Sequence, residues 1–593
     1  MPFKFTAQNR FFNTTGRALL YSICFAFSII LQCGLFHYLA FHSIQVFTVF
    51  RDPERFFSFY LPKIAISFAL ASISLFFKRK NWTILISALL MIWIMAELIY
   101  YRVNGILIDA VSITIVSNMK GFWDGIFAFV YPQDLVLLTP TILLALAFYF
   151  IQPNQTSLAF GIILLSLSFL THLYGAALIK KSLEKIQWKD NDNQCRLIIN
   201  PFLEKGKSSF WGFTDTEYVK RTSVVHCLFY DIICLVKMPF VSNDYHMTTR
   251  DIEEADHLFN NIKQTVPDSN LYIILFESLE TWVVSQTVTP AIQSFIDTHE
   301  NVLWAKRVIK QTRSGISGDG QMIINTGVLP ISEGVTCFQY SSNVFPSLSE
   351  QYSTPAIIVP GDLGTWNQKR MSDAYGITTN YQIKSSLDAD SFNVLEKEYK
   401  NHPFLLTITI ASHTPFIDCS NISPIISDQG IPDLLRNYLN CVHYTDESLA
   451  SFLSLVDSDN TLKESTIVIT GDHTIFDTTQ RQQFDNYCKG IINASPSLEA
   501  YCPLIVYSPA ISKKTLIEEE SYQMDIFPTI LSIIGCEDYY FKGFGKNLLD
   551  DDESRYYSED QAFSLSNKMI RSNFFKSYLD SSISNSLQLK KDE

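Results

Sequence analysis

Long uncharged apolar runs fill the first 180 residues of this chain, and they restrict its folding more than any other feature. Five of them are long enough, at about 1.5 Å per residue, to cross about 30 Å of hydrocarbon. They are Leu19–Phe41, Phe57–Phe77, Trp82–Tyr101, Leu135–Ile151 and Leu158–Ile179. In lipid such a stretch folds as a helix, because a helix satisfies its own backbone polar groups. The sequence therefore predicts five membrane spans.

Basic residues in the short loops indicate how these spans are oriented. Lys4, Arg10 and Arg17 precede the first span, and residues 78–80 (KRK) link the second span to the third. Cytoplasmic loops carry an excess of lysine and arginine, so both loops are predicted to lie in the cytoplasm. An odd number of spans then places everything after Ile179 on the opposite side. The first run is long and no small-residue cleavage site follows it, which argues against a cleavable signal peptide.

A few polar residues in the apolar half bear on its role. Lys63 lies near one end of the second run, where its side chain can snorkel towards water, and Pro140 is tolerated in a membrane helix. The segments 102–133 and Val224–Val241 are amphipathic, so we expect them at the membrane interface. Two roles stay open for the spans, which either anchor the chain or present a lipid headgroup to the outer domain. Few charges lie within the spans and no internal repeat is evident, which argues against a transporter.

The rest of the sequence has the pattern of a soluble α/β domain. Short, continuously apolar runs alternate there with helical patterns. The runs are Leu271–Phe276, Ala356–Val359, Phe404–Ile410, Thr466–Thr470 and Leu504–Tyr507. Runs of about 4–8 β-branched and aromatic residues are typical of buried strands in a mainly parallel sheet. We therefore expect an α/β fold in which a mainly parallel central sheet carries helices on both faces.

These patterns divide the chain into four parts. A five-span transmembrane region is expected over residues 1–181, and a linker with interfacial helices over 182–268. The α/β domain is expected over 269–580, and residues 581–593 form a polar tail.

Polar residues follow three of the predicted strands. Glu277 comes directly after the first run, and His413 lies three residues beyond the third. Asp472 and His473 follow the fourth run. The carboxyl ends of parallel strands meet at one edge of a sheet, and ligands bind there. Carboxylates and an imidazole at that edge predict a divalent cation site, in which oxygen ligands favour manganese or magnesium and the imidazole also admits zinc.

Charge and cysteine content limit the classes of partner and site. The formal net charge of −13 and the lack of a basic stripe argue against a nucleic-acid partner, because phosphate backbones are bound by clustered Lys and Arg. None of the 11 cysteines has the spacing of a zinc site. Cys419 with Cys441, or Cys488 with Cys502, are candidate disulfides if the domain lies outside the cytoplasm.

Several stretches, taken in order, resemble the lipoteichoic acid synthase family of the alkaline phosphatase/sulfatase superfamily. They are LFES at 275–278, QTRSGISGDGQMIINTG at 311–327, SLSEQY at 347–352, TWN at 365–367, ASHTPF at 411–416, VHYTDESLASF at 442–452, GDH at 471–473 and QMDIFPTILSIIG at 523–535. With the five-span layout, the resemblance covers roughly residues 18–580. It implies the sulfatase-like fold for the α/β domain and a membrane enzyme that moves phosphoglycerol from a lipid donor.

The resemblance also implies a nucleophile. The family uses a threonine in a Gly-x-Thr-Ser-Asp setting, and the matching stretch here is GISGD at 315–319. Ser317 therefore stands at the nucleophile position, while Thr312 and Ser314 are nearby hydroxyls that a shifted alignment would place there. Ser317 would attack the donor phosphorus, form a covalent phosphodiester and pass the group to an acceptor.

Further residues around the transferred group follow from the same resemblance. His413 matches a family histidine close to that group, where it would steady phosphate oxygens or shuttle a proton. The metal, expected to be Mn²⁺ with Mg²⁺ or Zn²⁺ as alternatives, would be held by Glu277, Ser317, Asp472 and His473.

The segment around Trp366 departs from the family pattern. Members that handle phosphoglycerol have a histidine shortly before the Trp-Asn pair and an arginine just after it. Here that histidine is missing and Gln368 stands at the arginine position, so Lys369 or Arg370 would supply the charge. Trp366 is either a wall of the headgroup pocket or a structural tryptophan, and both phosphoglycerol and phosphoethanolamine stay open as headgroups. The candidate substrate-binding residues are Asp362, Trp366, Arg370 and His413.

Three other interpretations remain. A sulfatase needs a Cys or Ser in a C/S-x-P-x-R setting, and no Pro or Arg stands in register after Ser317. A phosphodiesterase or phosphatase would use the same first step, and an inactive binding module would keep the fold alone. For the transferase, the expected partners are a phospholipid donor and a lipid-linked or glycan acceptor at the cell membrane. The N-terminus would be cytoplasmic and the catalytic domain extracytoplasmic.

Overall fold

The computed structural model divides the chain into two compact units. We call the part with the apolar helices up to Lys237 the membrane unit, and the part from Thr249 onwards the soluble unit. The structure describes residues 6–41, 50–51, 53–74, 80–104, 107–108, 130–150, 158–184, 219, 222–237, 247–260, 267–331, 335–414, 416, 419, 421–427, 430–476, 478–492, 496, 500–550 and 555–576.

Long apolar helices make up the membrane unit. They are α1 (Thr6–Phe41), α2 (Pro53–Ser74), α3 (Lys80–Asn104), α4 (Thr139–Phe150), α5 (Leu158–Glu184) and α6 (Val224–Lys237), with a 3-10 turn over Pro132–Leu138 before α4. Among the described residues, four stretches are long and apolar enough to cross a membrane: Leu19–Phe41, Phe56–Ile73, Asn81–Arg102 and Pro132–Phe150. These match four of the five predicted spans. In α5 the apolar stretch Phe160–Gly175 is shorter.

Polar side chains inside the membrane unit bond to one another across helices. Gln32 Nε2 on α1 donates to Ser87 Oγ on α3 at 3.1 Å and to Thr141 Oγ1 on α4 at 3.0 Å. Arg102 at the end of α3 forms two hydrogen bonds to Asp134, of 2.6 and 2.8 Å. Without water, a buried polar group needs such a partner to offset its desolvation. These bonds therefore fix how α1, α3 and α4 pack together.

Lys63 differs from the expectation that it snorkels. Its side chain on α2 is buried, and Nζ donates to Phe59 O at 3.0 Å. The ammonium also lies 3.8 Å from the centre of the Phe59 ring. The Lys63 ammonium is thus held within the unit by Phe59, which lies one helical turn before it on α2. Most of the predicted interfacial segment 102–133 and the whole polar tail lie outside the described residues.

One large sheet forms the centre of the soluble unit. Its strands are β1 (Leu271–Phe276), β2 (Val302–Ile309), β3 (Ala356–Pro360), β4 (Thr379–Ile383), β5 (Phe404–Ile408), β6 (Thr466–Gly471), β7 (Tyr501–Tyr507), β8 (Thr515–Ile517) and β9 (Ser521–Tyr522). They lie in the order β4-β3-β5-β1-β6-β7-β2-β8, and β9 pairs with β2. Only β7 runs antiparallel to its neighbours among the described pairings. The mainly parallel sheet is therefore confirmed.

Both faces of the sheet are covered. Leu271, Ile273 and Leu275 of β1 belong to one buried apolar cluster, whereas the alternate residues Tyr272 and Ile274 belong to another. Successive side chains of a strand point to opposite faces, so two clusters on alternate residues mean two packed layers. The helices that supply these layers are α7 (Thr249–Ala255), α8 (Pro290–Thr298), α9 (Ile316–Thr326), α10 (Thr336–Gln339), α11 (Gln368–Ala374), α12 (Asp388–Glu398), α13 (Asp433–Leu455), α14 (Asn460–Lys463), α15 (Thr478–Ile491), α16 (Ile526–Ile533) and α17 (Glu559–Arg571).

One of the two candidate disulfides is present. Cys419 and Cys441 are bonded, with their Cα atoms 5.4 Å apart. The bond ties the loop after β5 to α13. Cys488 and Cys502 are both free, so the alternative pairing is wrong. Both are buried, Cys488 on α15 and Cys502 on β7.

Candidate metal centre

The ends of the two central strands bring Glu277 and Asp472 together. β1 and β6 are parallel neighbours in a register that pairs Phe276 with Gly471, so the residues after them lie side by side. Ser278 N donates to Asp472 Oδ1 at 2.8 Å, which closes the gap between the two strand ends. A Cβ at Gly471 would collide with Leu279 O. This close approach of two backbones requires the glycine.

The turn before α9 places Ser317 over this edge. Asp319 on the first turn of α9 accepts hydrogen bonds from Arg313 N and Gly315 N, both 2.9 Å, and so closes the turn. Ile316 has a positive φ of 41°, an uncommon conformation for a β-branched residue that marks local strain. At Gly320 a side chain would strike the backbone of Asp472, so α9 packs directly on the end of β6.

Four side chains converge where these elements meet, and we call them the metal cluster: Glu277, Ser317, Asp472 and His473. Ser317 Oγ lies 3.2 Å from Glu277 Oε2 and 3.2 Å from His473 Nε2. His473 Nε2 lies 3.2 Å from Glu277 Oε1 and 3.5 Å from Asp472 Oδ2. The ligand atoms of the two carboxylates and the imidazole all lie within 4.8 Å of one another. Two carboxylates, an imidazole and a hydroxyl are a donor set that fits manganese or zinc.

The charges of the metal cluster are strongly coupled. Burial opposes ionisation of Glu277, but the adjacent His473 holds the pKa of Glu277 below its usual range. Burial and the Glu277 carboxylate both raise the pKa of Asp472. For His473, burial would lower the pKa, and the two carboxylates outweigh it and raise the pKa to about 9. The cluster therefore holds one protonated imidazole among acidic groups. A divalent cation can take the place of the imidazole proton there.

Two glutamines that sequence reasoning missed support Asp472 from behind. Gln523 Nε2 donates to Asp472 O at 2.7 Å. Gln523 Oε1 in turn accepts from Gln311 N at 2.7 Å, and Gln311 Oε1 accepts from Met524 N at 2.9 Å. Gln311 and Gln523 each begin one of the motif stretches, which was a signal for their importance. Nothing in the sequence indicated that they bond to each other.

The loop after β5 brings His413 beside Glu277. Ser412 Oγ donates to Glu277 O at 2.6 Å, and His413 is close enough to influence the Glu277 carboxylate electrostatically. His413 Nδ1 bonds to Thr414 O at 2.6 Å, so Nδ1 carries the hydrogen of the neutral ring. Asp388 fixes the start of this loop by accepting from the backbone N–H groups of residues 410 and 411. His413 thus lies next to the metal cluster, as the sequence predicts.

Trp366 packs against the turn that carries Ser317. A Cβ at Gly318 would lie 3.5 Å from the Trp366 side chain. Trp366 has a φ of 51° and Asn367 a φ of 54°, and Asn367 Nδ2 anchors the strained pair by donating to Cys337 O at 2.9 Å. Strain of this kind persists where surrounding contacts fix the backbone. The tryptophan is therefore beside the metal cluster rather than in a distant part of the core.

The polar residues around Trp366 are placed differently from one another. Gln368 is buried and its amide donates to Ser372 Oγ at 3.3 Å. Lys369 pairs with Asp373 at 2.5 Å. Arg370 is exposed, and within the described part of the chain its side chain forms no hydrogen bond or ion pair. Asp362 is exposed and its Oδ1 accepts from Gly364 N at 2.7 Å, which shapes its own turn. The structure thus leaves Arg370, of the two basic candidates, as the one available for a ligand.

Known protein families match both the apolar N-terminal part of the chain and its α/β part. The lipoteichoic acid synthase N-terminal domain matches residues 4–192, and the sulfatase domain matches residues 341–536. Lipoteichoic acid synthase 2 of Bacillus subtilis is 22% identical over 552 residues, which cover 85% of this chain and 78% of that protein. Lipoteichoic acid synthase-like YvgJ of the same organism is 23% identical over 315 residues, and the match spans 51% of its length and 48% of this chain. The resemblance to this family is confirmed.

A solved structure agrees with the fold. The integral membrane protein lipooligosaccharide phosphoethanolamine transferase A of Neisseria meningitidis has a TM-score of 0.50 and 12% sequence identity. The match covers 88% of this chain and 96% of that one. At this identity the likeness concerns the fold alone. Together with the sulfatase domain match, it confirms the predicted fold class, in which apolar N-terminal helices precede an α/β domain of the alkaline phosphatase/sulfatase type.

Proposed function

We propose that this chain, with its lipoteichoic acid synthase-like organisation, is a membrane-bound, metal-dependent transferase. It moves phosphoglycerol, or a similar phosphorylated headgroup, from a phospholipid donor to a glycolipid or glycan acceptor. Ser317 carries the group between the two as a covalent intermediate. The soluble unit would work outside the cytoplasm at the membrane surface, with the N-terminus in the cytoplasm.

The geometry of Ser317 supports this proposal most strongly. Its Oγ lies within 3.2 Å of both a carboxylate oxygen of Glu277 and an imidazole nitrogen of His473. A serine that shares a buried acidic cluster in this way can become a ligand of the same cation as its neighbours. Among the described hydrogen bonds, Ser317 Oγ contacts both the Glu277 carboxylate and the His473 imidazole, whereas Ser278 Oγ contacts the carboxylate alone.

A divalent cation held by Glu277, Ser317, Asp472 and His473 would lower the pKa of the Ser317 hydroxyl and offset negative charge on the phosphate. The attack by Ser317 Oγ forms an O–P bond, and the bond from phosphorus to the diacylglycerol oxygen breaks. The serine proton ends on diacylglycerol, so this half-reaction needs no water. In the second half, an acceptor hydroxyl attacks the phosphorus and Ser317 regains a proton.

His413 has a role in this scheme that fits its tautomer. With Nδ1 bonded to Thr414 O, Nε2 is the nitrogen that can accept a proton or, once protonated, donate to a phosphate oxygen. The loop contact through Ser412 keeps the ring beside Glu277. His413 would therefore carry the proton towards the leaving diacylglycerol oxygen.

The headgroup pocket would lie along Trp366 and Arg370. The tryptophan packs beside Ser317, and the exposed guanidinium of Arg370 is available to hold an anionic oxygen. Gln368 is buried against Ser372 and is not available for this purpose. The relatives are named lipoteichoic acid synthases, whereas the structural neighbour is named a phosphoethanolamine transferase, so both phosphoglycerol and phosphoethanolamine stay candidate headgroups.

Lipid turnover by the full chain in detergent micelles tests the proposal. The protein is incubated with Mn²⁺ and either phosphatidylglycerol or phosphatidylethanolamine, and the released diacylglycerol is quantified. We expect release from one of the two lipids, loss of release with EDTA, and loss in Glu277→Gln. Release that persists in both controls, or no release from either lipid, would contradict the transferase. Release of free glycerol phosphate into water without an acceptor product would instead indicate a hydrolase.

A further inference from the structure

We infer that Glu280 and Arg481, which nothing in the sequence pattern singles out, are positioning residues of the metal centre. They form a buried ion pair that clamps the segment directly after His473. This inference rests on the proposed metal site and identifies what holds two of its ligands in place.

Glu280 reaches the segment from the loop after β1. It lies three residues beyond Glu277 and its side chain is fully buried. Glu280 Oε1 accepts a hydrogen bond from Ile475 N at 2.8 Å and pairs with Arg481. The second oxygen, Oε2, accepts from Trp282 Nε1 at 2.6 Å. Both oxygens of the carboxylate are therefore engaged, and one of them holds backbone two residues beyond His473.

Arg481 reaches the same segment from the first turn of α15. Its side chain is 1% exposed, which is rare for arginine and costly unless the charge is paired. Besides its bond to Glu280, Arg481 Nε donates to Phe476 O at 2.9 Å. Lys310, directly after β2, adds a third contact, because its Nζ donates to Thr474 O at 3.2 Å. Three charged side chains thus hold three successive residues, 474–476.

The clamp joins the two strand ends that carry the metal ligands. Glu280 belongs to the loop that begins with Glu277, whereas residues 474–476 continue from His473. Tyr438 on α13 bridges the same two loops, since its hydroxyl donates to Ser278 O at 2.9 Å and its ring packs on Phe476 with centroids 4.9 Å apart. The clamp and Tyr438 therefore fix the distance between Glu277 and His473, in addition to the pairing of β1 with β6.

Loss of the clamp should act on metal binding. Groups that orient metal ligands without touching the metal typically change metal affinity about 10–100-fold when removed. Removing the charge of Glu280 leaves Arg481 buried without a counter-charge, so the segment must rearrange to rehydrate it. That movement displaces His473 relative to Glu277.

Calorimetric titration of Mn²⁺ into the full chain, in detergent, tests the inference. We expect Glu280→Gln to weaken Mn²⁺ binding at least about tenfold. Arg481→Lys keeps the positive charge but, as a single ammonium, cannot make both contacts of the guanidinium, so it should weaken binding in the same direction by less. Arg481→Lys also tests the inference if Glu280→Gln does not fold.

A matched control separates positioning from general stability. Asp251 and Lys568 form another partly buried ion pair in the soluble unit, between α7 and α17. Asp251→Asn should lower the unfolding temperature without changing Mn²⁺ affinity. If both clamp variants lose stability as this control does and bind Mn²⁺ like the wild type, the clamp is only structural and the inference is wrong. If the wild-type chain itself binds no divalent cation, the proposed function fails instead.

Discussion

The membrane unit and the soluble unit both bury polar side chains, but they use them differently. In the membrane unit, polar groups on different helices meet complementary partners, as Gln32 Nε2 meets Ser87 Oγ and Arg102 meets Asp134. In the soluble unit Glu277, Asp472 and His473 lie within 4.8 Å of one another and compete for the same partners. Matched groups hold helices together, whereas a surplus of like groups at one point is a place for a ligand. Under the proposed function, this difference separates polar residues that serve the fold from those that serve chemistry.

The two units also differ in how many large apolar side chains they expose. Phe27, Ile163 and Phe169 on helices of the membrane unit are each at least 60% exposed. Large apolar side chains on the outside fit a lipid environment and not water. In the soluble unit the apolar side chains lie mostly in the two clusters that cover the sheet.

The largest expected effect concerns the proposed nucleophile, Ser317. Ser317→Ala removes the hydroxyl that contacts both Glu277 and His473, so we expect diacylglycerol release to fall at least about 1,000-fold. Ser314→Ala, which removes a hydroxyl from the same turn, should retain most of the activity. Equal losses in the two variants would mean that the turn matters and the Ser317 oxygen does not.

The pH dependence of metal binding tests the charge balance of the cluster. His473 has a pKa raised to about 9, so at neutral pH a metal must displace its proton. Affinity for Mn²⁺ should therefore rise with pH, about tenfold per unit, up to the pKa of His473 and level off above it. Isothermal titration between pH 6.5 and 8.5, in buffers of different ionisation enthalpy, measures both the affinity and the released proton. An affinity that does not change over this range would show that His473 is already neutral.

A smaller effect should separate the two basic residues beyond Trp366. Arg370 is exposed and available, whereas Lys369 pairs with Asp373. Arg370→Ala should lower kcat/KM about tenfold, as expected for losing a hydrogen bond to a charged oxygen. Lys369→Ala should change it little. The opposite ranking would place the headgroup against Lys369.

The membrane unit should respond in stability and not in metal binding. Asp134→Asn removes the carboxylate that pairs with Arg102, whose side chain is 10% exposed, and we expect a loss of about 3 kcal/mol in unfolding free energy. By contrast, Arg250→Ala in the soluble unit breaks an exposed pair with Glu254 and should cost less than about 1 kcal/mol. Denaturant unfolding of the full chain gives both values. A change of Mn²⁺ affinity in Asp134→Asn would contradict the distinction between polar groups that stabilise the membrane unit and those that bind the metal.

Sequence patterns predicted the parts of this molecule whose structure depends on the residues of a single segment. Apolar runs located four spans and all five central strands, because length and continuous apolarity are properties of the segment itself. Glu277 and Asp472 could be placed together because parallel neighbours end at one edge. The motif resemblance added Ser317, which composition alone does not distinguish from other serines in a glycine-rich turn.

Features that depend on distant partners were not predictable. The edge strands β4, β8 and β9 are short and partly polar, so their pattern resembles loops. The clamp of Glu280 and Arg481 joins residues 201 positions apart, and no local signal marks either one. Which of the two candidate cysteine pairs is bonded also depended on the finished fold, which brings the Cα atoms of Cys419 and Cys441 to 5.4 Å.

The central claim is that Ser317 carries the transferred group, and intact-mass spectrometry of the full chain tests it most directly. The protein is incubated with Mn²⁺ and phosphatidylglycerol or phosphatidylethanolamine without acceptor, then compared with Ser317→Ala. We expect a mass gain equal to one phosphoglycerol or one phosphoethanolamine, located on the peptide that contains Ser317 and absent from the variant. An adduct on another residue, or diacylglycerol release with no adduct in the wild type, would contradict the covalent mechanism.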